Sequence, residues 1–283
     1  MCVTCGCSDD ADTTITNLAT GEVEHHHHVH THTLPDGTVV THSHDHHEHD
    51  EPSHVHAQVH GTTISLEQDI LAKNNLLAAQ NRGWFKGRNI LALNLMSSPG
   101  SGKTTLLTRT IHDLKDKFPI SVIEGDQETA NDAEKIRETG CQVVQINTGT
   151  GCHLEAAMID RGLQQLNPPL NSVVMIENVG NLVCPALFGL GEQAKVVILS
   201  VTEGEDKPIK YPHMFRASDI MIITKVDLLP YVQFDVDKCI NYARQVNPQI
   251  QVFQVSATTG FGLSSWYDWL STTLANLSVT VAV

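Results

Sequence analysis

Apolar residues fall into two kinds of run along this chain. From Asn89 onward, short and nearly unbroken apolar segments recur seven times: NILALNLMS, ISVIEGD, QVVQINTG, SVVMIENVG, KVVILSVTEG, IMIITKVD and QVFQVSA. They are strand-length and rich in Val and Ile, and their lack of polar alternation suits strands buried on both faces. Between them lie stretches with helical spacing, such as TTLLTRTIHDLK. Strands alternating with helices predict an α/β domain: a mostly parallel, helix-covered sheet of about seven strands, with no linker interrupting it. Ahead of the first strand, SLEQDILAKNNLLAAQNRGWF spaces Leu66, Ile70, Leu71 and Leu77 as a helix does, and Ser65 with Gln68 reads as a capping box at its start.

The pattern is different before Ser65. Of 17 histidines, 14 lie between His25 and His60, mixed with Asp, Glu, Pro and Gly and with few bulky apolar residues. Such a composition buries too little apolar surface to fold alone, so residues 8–60 are expected to be disordered. The chain divides accordingly into an N-terminal tail, 1–60, and a nucleotide-binding domain, 61–283. A purification tag would be an uninterrupted run and a neutral linker would not collect imidazole, whereas neutral imidazole is a favoured ligand of nickel, copper and zinc. Low-specificity, multidentate metal binding is the better reading of the tract.

The formal charge of −14 opposes a general nucleic-acid binder and an anionic-membrane binder, but suits metal cations. Seven cysteines is an odd number, four of them scattered (Cys141, Cys152, Cys184, Cys239), which favours reduced thiols in a cytoplasmic protein over a disulfide framework. MCVTCGCSDD has neither the basic nor the apolar region of a signal peptide, and no apolar run is long enough for a transmembrane helix, so membrane insertion is not expected.

Directly after the first strand comes SSPGSGKTTLL, a P-loop in which Ser97 stands where the first Gly is usual. Backbone N–H groups of such a loop wrap phosphates. The candidate contacts are Pro99 (which has no N–H to give), Gly100, Ser101, Gly102, Lys103, Thr104 and Thr105. Lys103 would reach the β/γ oxygens and Thr104 would hold Mg²⁺. In ITKVDLL the carboxylate of Asp227 can accept from the two donors on the guanine edge, which adenine lacks. Lys225 would lay its stem over the base, and Thr224 stands where Asn is usual. Ser256 and Ala257, in VSATTG, fit a base-side loop, so GTP is expected rather than ATP. Asp126 (IEGDQET) could bind Mg²⁺ through water or orient the attacking water. Glu177 (IENVGN) ends the fourth strand as a metal-side acid, and Gly180 follows as a switch glycine whose N–H meets the γ-phosphate. Catalysis by such a site is positioning and charge neutralisation.

Two further groups carry metal chemistry. Cys152 and His153 adjoin in GCHLEA, and Cys184 lies four residues past Gly180. If the two loops share a sheet edge, Cys/His/Cys is a competent zinc or nickel set, with ordinary core cysteines as the alternative. Cys141 and Cys239 have no companion and read as small buried hydrophobes. At the amino terminus, Cys5-Gly6-Cys7 can close small chelate rings, while Cys2 and the terminal amine add further donors. Thiolates with a nitrogen favour planar Ni(II). A redox CxxC would need a βαβ context that is missing there.

Taken together, MCVTCGC, the histidine tract, SSPGSGKTTLL, EGDQETANDAEKIRETG, GCHLEA, ENVGNLVCPA and TKVDLLP resemble the HypB family over essentially the whole chain. The resemblance implies a P-loop NTPase fold of the dimerising SIMIBI class. It also implies a GTP-hydrolysing nickel metallochaperone of [NiFe]-hydrogenase maturation, a GTP-dependent homodimer, and other maturation proteins and the hydrogenase large subunit as partners. Its metal sites map onto Cys152, His153 and Cys184 and onto Cys2, Cys5 and Cys7. The related urease-accessory family has Cys-Pro-His instead, which this chain lacks. A metal-storage protein with incidental GTPase activity is the competing class.

Overall fold

In a computed structural model, the residues described are 13–18, 21–26, 30–33, 39–42, 59–127 and 131–280. In chain order they form β1 (Thr13–Asn17), β2 (Glu22–His26), β3 (His30–Thr33), β4 (Val39–His42), α1 (Val59–Gly87), β5 (Leu91–Ser97) and α2 (Lys103–Leu114). There follow β6 (Ile120–Asp126), α3 (Asn131–Arg137), β7 (Gln142–Asn147), α4 (Ala156–Leu166), β8 (Val173–Glu177) and β9 (Ala194–Ser200). The chain closes with α5 (Lys207–Lys210), α6 (Pro212–Ala217), β10 (Ile220–Thr224), α7 (Val236–Val246), β11 (Gln251–Gln254) and α8 (Leu263–Thr280).

The seven apolar runs are β5 to β11. They pair in parallel in the order β11-β10-β9-β5-β8-β6-β7. β5 is central, and its residues alternate between two cores. Leu91, Leu93 and Leu95 pack with Leu107 and Ile111 of α2 and Trp266 and Leu270 of α8. Ala92 faces Phe85 of α1 and Ile159 and Leu163 of α4. Burial on both faces is why these strands lack polar alternation. The chain goes one way from β5 to β8-β6-β7 and the other way to β9-β10-β11. The carboxyl end of β5 is therefore the switch point where ligands of open α/β sheets bind.

Two expectations are corrected. The helix expected to start at Ser65 begins at Val59, so Ser65 and Gln68 lie inside it rather than at a cap. Disorder over 8–60 fails for the four strands β1 to β4. β1 adds antiparallel to β7, with Ile15 opposite Ile146, and β2 adds antiparallel to β1. Ile15 is buried among Ile146, Leu163 and Leu166, and Asn17 Nδ2 donates to the Gln165 carbonyl at 3.3 Å. The reason is a local sequence that finds a distant partner. TTITN is β-branched around one Ile, and β7 offers it an open edge, a combination that composition averaged over a long tract conceals. The N-terminal thiolate motif, Cys2, Cys5 and Cys7, lies outside the described residues. Among the described residues no helix is long and apolar enough to cross a membrane.

Candidate nucleotide and metal site

The P-loop joins β5 to α2, and two of its residues need glycine. Gly100 has φ +74° and Gly102 φ +93°, a backbone that side chains resist. A Cβ on Gly100 would meet open space, so it is the backbone conformation rather than crowding that calls for glycine there. Lys103 Nζ donates to Ser97 Oγ at 2.9 Å, so the serine in the glycine position parks the ammonium beside the cradle. Thr104 Oγ1 donates to Glu177 Oε1 at 2.6 Å. This bond joins the first turn of α2 to the end of β8, the hydroxyl–carboxylate pair suited to a hydrated Mg²⁺. Pro99 and Thr105 flank the loop, and Asp126 closes β6 at the same edge.

Burial pushes the Glu177 carboxyl above the ordinary range, against the pull of Lys103 and the bond from Thr104. Its register partner on β6 is Glu124, which sequence reading missed. Burial first, then the charges of Glu177 and Asp126, push the Glu124 carboxyl up to about 9. The signal was present as an acid within the apolar run ISVIEGD. A carboxyl that a buried strand would ordinarily exclude is kept here beside Glu177, and burial favours its neutral form.

Gly180 lies against the P-loop. A Cβ there would stand 3.0 Å from Pro99 Cγ and 3.2 Å from Pro99 Cα. The base-side residues converge from the other half of the sheet. Thr224 Oγ1 donates to the Ser101 carbonyl at 2.6 Å, and Lys225 Nζ donates to the Gly100 carbonyl at 2.7 Å from a backbone at φ +59°. Asp227 follows, half-buried, in the turn after β10. Ser256 is buried, and its hydroxyl accepts from the Thr259 amide at 3.1 Å, shaping the loop that holds Ala257. Two cations went unnoticed in the sequence. Arg109 Nη1 donates to the Ala257 carbonyl at 2.8 Å, and Lys207 Nζ lies 3.5 Å from Ser98 Oγ while pairing with Glu203 at 3.3 Å.

Cys152, His153 and Cys184 come together, with one donor atom of each within 4.8 Å of the others. Bonds of about 2.0–2.3 Å draw such donors closer, which takes only small side-chain movement. The set fits a thiophilic or borderline ion such as nickel or zinc. Burial lowers the His153 imidazole to about 4, which keeps it neutral and able to ligate, and its ring tilts over Phe188 at 4.0 Å. Asn181 Nδ2 donates to the Cys152 carbonyl at 3.3 Å, tying the loop after Gly180 to the Cys-His loop. Cys239 is buried in the core; Cys141 is half-buried, and burial pushes its thiol up to about 12.

Helix α1 braces both metal-bearing loops with two buried asparagines that sequence reading passed over. Asn74 Oδ1 accepts from the Ala156 amide at 2.9 Å, and its Nδ2 donates to the Gly189 carbonyl at 2.8 Å. Asn81 Nδ2 donates to the carbonyls of Ala156 at 2.8 Å and Leu190 at 3.0 Å. Their trace in the sequence is two amides seven residues apart on an otherwise apolar helical face. A third, Asn178, accepts from the Leu154 amide at 3.1 Å and donates to Asn94 of β5 at the same distance.

A phosphate loop at the switch point, a hydroxyl–carboxylate pair beneath it and a guanine-type turn beside it define a P-loop nucleotide-binding protein. Two cysteines and a histidine meet beside it, drawn from the loop after β7 and the loop after β8. The CobW/HypB/UreG nucleotide-binding domain matches residues 91–254. The chain is 48% identical to the hydrogenase maturation factor HypB of Escherichia coli K12, over 96% of this chain and 99% of that protein. It is 55% identical to the HypB of Rhizobium leguminosarum, over 80% of this chain and 76% of that one. Two solved structures superpose with a TM-score of 0.67. HypB of Archaeoglobus fulgidus is 39% identical, covering 72% of this chain and 99% of that one, and HypB of Helicobacter pylori in complex with nickel is 38% identical, covering 72% and 96%. The chain belongs to the HypB family of hydrogenase maturation factors.

Proposed function

We propose that this chain is a cytoplasmic, GTP-hydrolysing nickel metallochaperone that assists nickel insertion into [NiFe]-hydrogenase. The observation that carries the reading is one loop with two contacts. Gly180 packs on Pro99 of the phosphate loop, and Cys184, four residues on, joins Cys152 and His153. Whatever moves Gly180 with the γ-phosphate moves a metal ligand with it.

In this reading Lys103 leaves Ser97 for the β/γ-phosphates, and backbone amides of Gly100 to Thr105 hold the chain of phosphates. Asp227 selects guanine, and Lys225, Thr224, Ser256 and Ala257 frame the base. Thr104 and Glu177 would hold Mg²⁺, with Asp126 nearby, and that ion supplies charge neutralisation between the phosphates. Asp126 orients the attacking water. Nickel is cargo and zinc a competitor for Cys152, His153 and Cys184, and three protein donors leave room for a ligand to enter, as a transit site requires. The open position and the exposed Val183 and Leu187 beside Cys184 support a homodimer closed over this face. The partners are other maturation proteins and the hydrogenase large subunit. Cys2, Cys5 and Cys7 form a tighter N-terminal nickel site.

Metal storage by the tail is a second role with its own support. Imidazole is concentrated there, with 14 of the 17 histidines between His25 and His60, and neutral imidazole is a favoured ligand of nickel.

Nickel affinity of a chain with Cys2, Cys5 and Cys7 changed to Ala, loaded with GDP or with a non-hydrolysable GTP analogue, tests the coupling. A fivefold or larger difference is expected, on the order of 1 kcal/mol, with the reciprocal change in nucleotide affinity. Equal affinities and identical coordination spectra in both states would remove the coupling, and with it the case for nucleotide-driven release.

A further inference from the structure

The base-side loop presents one backbone amide outward. The Val226 amide donates to the Val255 carbonyl at 3.3 Å, so the turn carrying Asp227 and the loop carrying Ala257 leave the sheet side by side. That loop closes on itself: the Ser256 amide donates to the Phe261 carbonyl at 3.0 Å, and the Gly260 amide to the Ser256 carbonyl at 2.9 Å. A peptide is planar and trans, so the second bond turns the Ala257 N–H away from Gly260. Ala257 is half-buried, and its amide has no acceptor among the described residues. The peptide that follows is held from outside the loop. Arg109 of α2 donates from Nη1 to the Ala257 carbonyl at 2.8 Å, while its Nε donates to Asp113 at 2.7 Å. Tyr267 of α8 donates to the same Asp113 oxygen at 2.9 Å. With the peptide planes on both sides of Ala257 fixed, the direction of its amide is fixed too.

We propose that Arg109 is a positioning residue for base recognition: by holding the Ala257 carbonyl it aims the Ala257 amide at O6 of a guanine whose N1–H and 2-amino groups are taken by Asp227. This role rests on the reading of the site as one for guanine nucleotides.

The edge of guanine explains the division of labour. Its N1–H and 2-amino groups are donors and suit a carboxylate. O6, beside them, is an acceptor that a carboxylate repels and a backbone amide complements. Adenine carries an amino group at that ring position and would oppose the amide donor to donor. Arginine suits the task because its planar fork bonds Asp113 with one nitrogen and the loop with another. A lysine ammonium has no such fork. Arg109 also lies six residues beyond Lys103 on the same helix, about 9 Å along its axis. One rigid element thus holds the phosphate loop at one end and the base-side loop at the other.

Competition against a fluorescent GDP, with the full chain at pH 7, compares GDP with two analogues. 6-Thio-GDP keeps the donors that Asp227 reads and replaces O6 by sulfur, a weak acceptor; IDP keeps O6 and lacks the 2-amino group. The native chain should prefer GDP to 6-thio-GDP by about tenfold, and Arg109→Ala should bring that ratio below about threefold while its preference for GDP over IDP stays native. Arg109→Lys keeps a cation beside Asp113, and with it the fold, but loses the fork, and should narrow the ratio in the same way. Parallel losses for all three nucleotides would mean a merely structural role and overturn the proposal. So would an unchanged ratio of GDP to 6-thio-GDP in Arg109→Lys, or a native chain indifferent to sulfur at that position. A native chain indifferent to the 2-amino group would instead remove guanine recognition by Asp227, while a sulfur preference that depends on Arg109 would still uphold its role.

Discussion

Thr224 Oγ1 donates to the Ser101 carbonyl at 2.6 Å, tying the end of β10 to the crown of the phosphate loop across the sheet. Threonine occupies a place where asparagine is usual, and its hydroxyl makes this bond with both partners buried. Thr224→Val keeps the shape and removes the donor, leaving a buried carbonyl unsatisfied, a loss of about 1–3 kcal/mol. GDP affinity of Thr224→Val should fall about tenfold, and Thr224→Asn should recover most of it. Unchanged binding of a fluorescent GDP by the valine variant would show that the loop holds its shape without the bond.

Lys103→Ala should bind nucleotide weakly and hydrolyse none, because Ser97 can park the ammonium but cannot replace it. Asp227→Asn should lose GTP and gain xanthosine triphosphate, since xanthine presents a carbonyl where guanine presents an amine. Competition between the two nucleotides on the variant is the measurement. Retained preference for GTP would take guanine recognition away from Asp227.

Asn81 joins Ala156 to Leu190 and so fixes the spacing between the Cys-His loop and the loop carrying Cys184. Asn81→Leu leaves two buried carbonyls without their donor and should destabilise the domain by about 1–3 kcal/mol. Nickel affinity at Cys152, His153 and Cys184 should drop by at least fivefold while GDP binding is kept. Equal losses of nickel and GDP binding would mean general unfolding, and no loss of nickel would mean the loops hold each other.

Asp113 ties α2 to α8 and, through Arg109, to the base-side loop. Burial works to raise its carboxyl, but bonds from Arg109 at 2.7 Å, His112 and Tyr267 at 2.9 Å outweigh it and bring the group to about 2. The folded value lies below the ordinary 3.8, so the stabilisation is present above about pH 4 and is lost as pH falls toward 2. Asp113→Asn should be less stable than the native chain at pH 7, and the gap should close on acidification through that window. Melting temperatures of both chains between pH 7 and pH 2.5 check it. A gap independent of pH would assign the effect to packing.

The seven strands and their parallel sense could be read because a strand buried on both faces shows itself as an unbroken apolar run, and each run is short. The phosphate loop could be read because its function demands a backbone, and only glycines at Gly100 and Gly102 give that backbone. The start of α1 was misplaced because a capping box is a local signal, and the helix runs through Ser65. The strand at Thr13–Asn17 was missed because its stability comes from β7, far away in sequence.

What the sequence determined by itself was therefore whatever short-range chemistry enforces: strand and helix period, the phosphate loop, the guanine turn and the pairing of Cys152 with His153. Only the tertiary structure decided that Cys184 meets them, that Glu124 lies beside Glu177, and that Asn74 and Asn81 brace the metal loops. It alone gave the N-terminal hairpin its direction. Those relationships join residues many positions apart, through contacts that exist only when the strands have their order. Spacing along a chain cannot carry them, because burial and the demand that each buried polar group find a partner are settled in three dimensions.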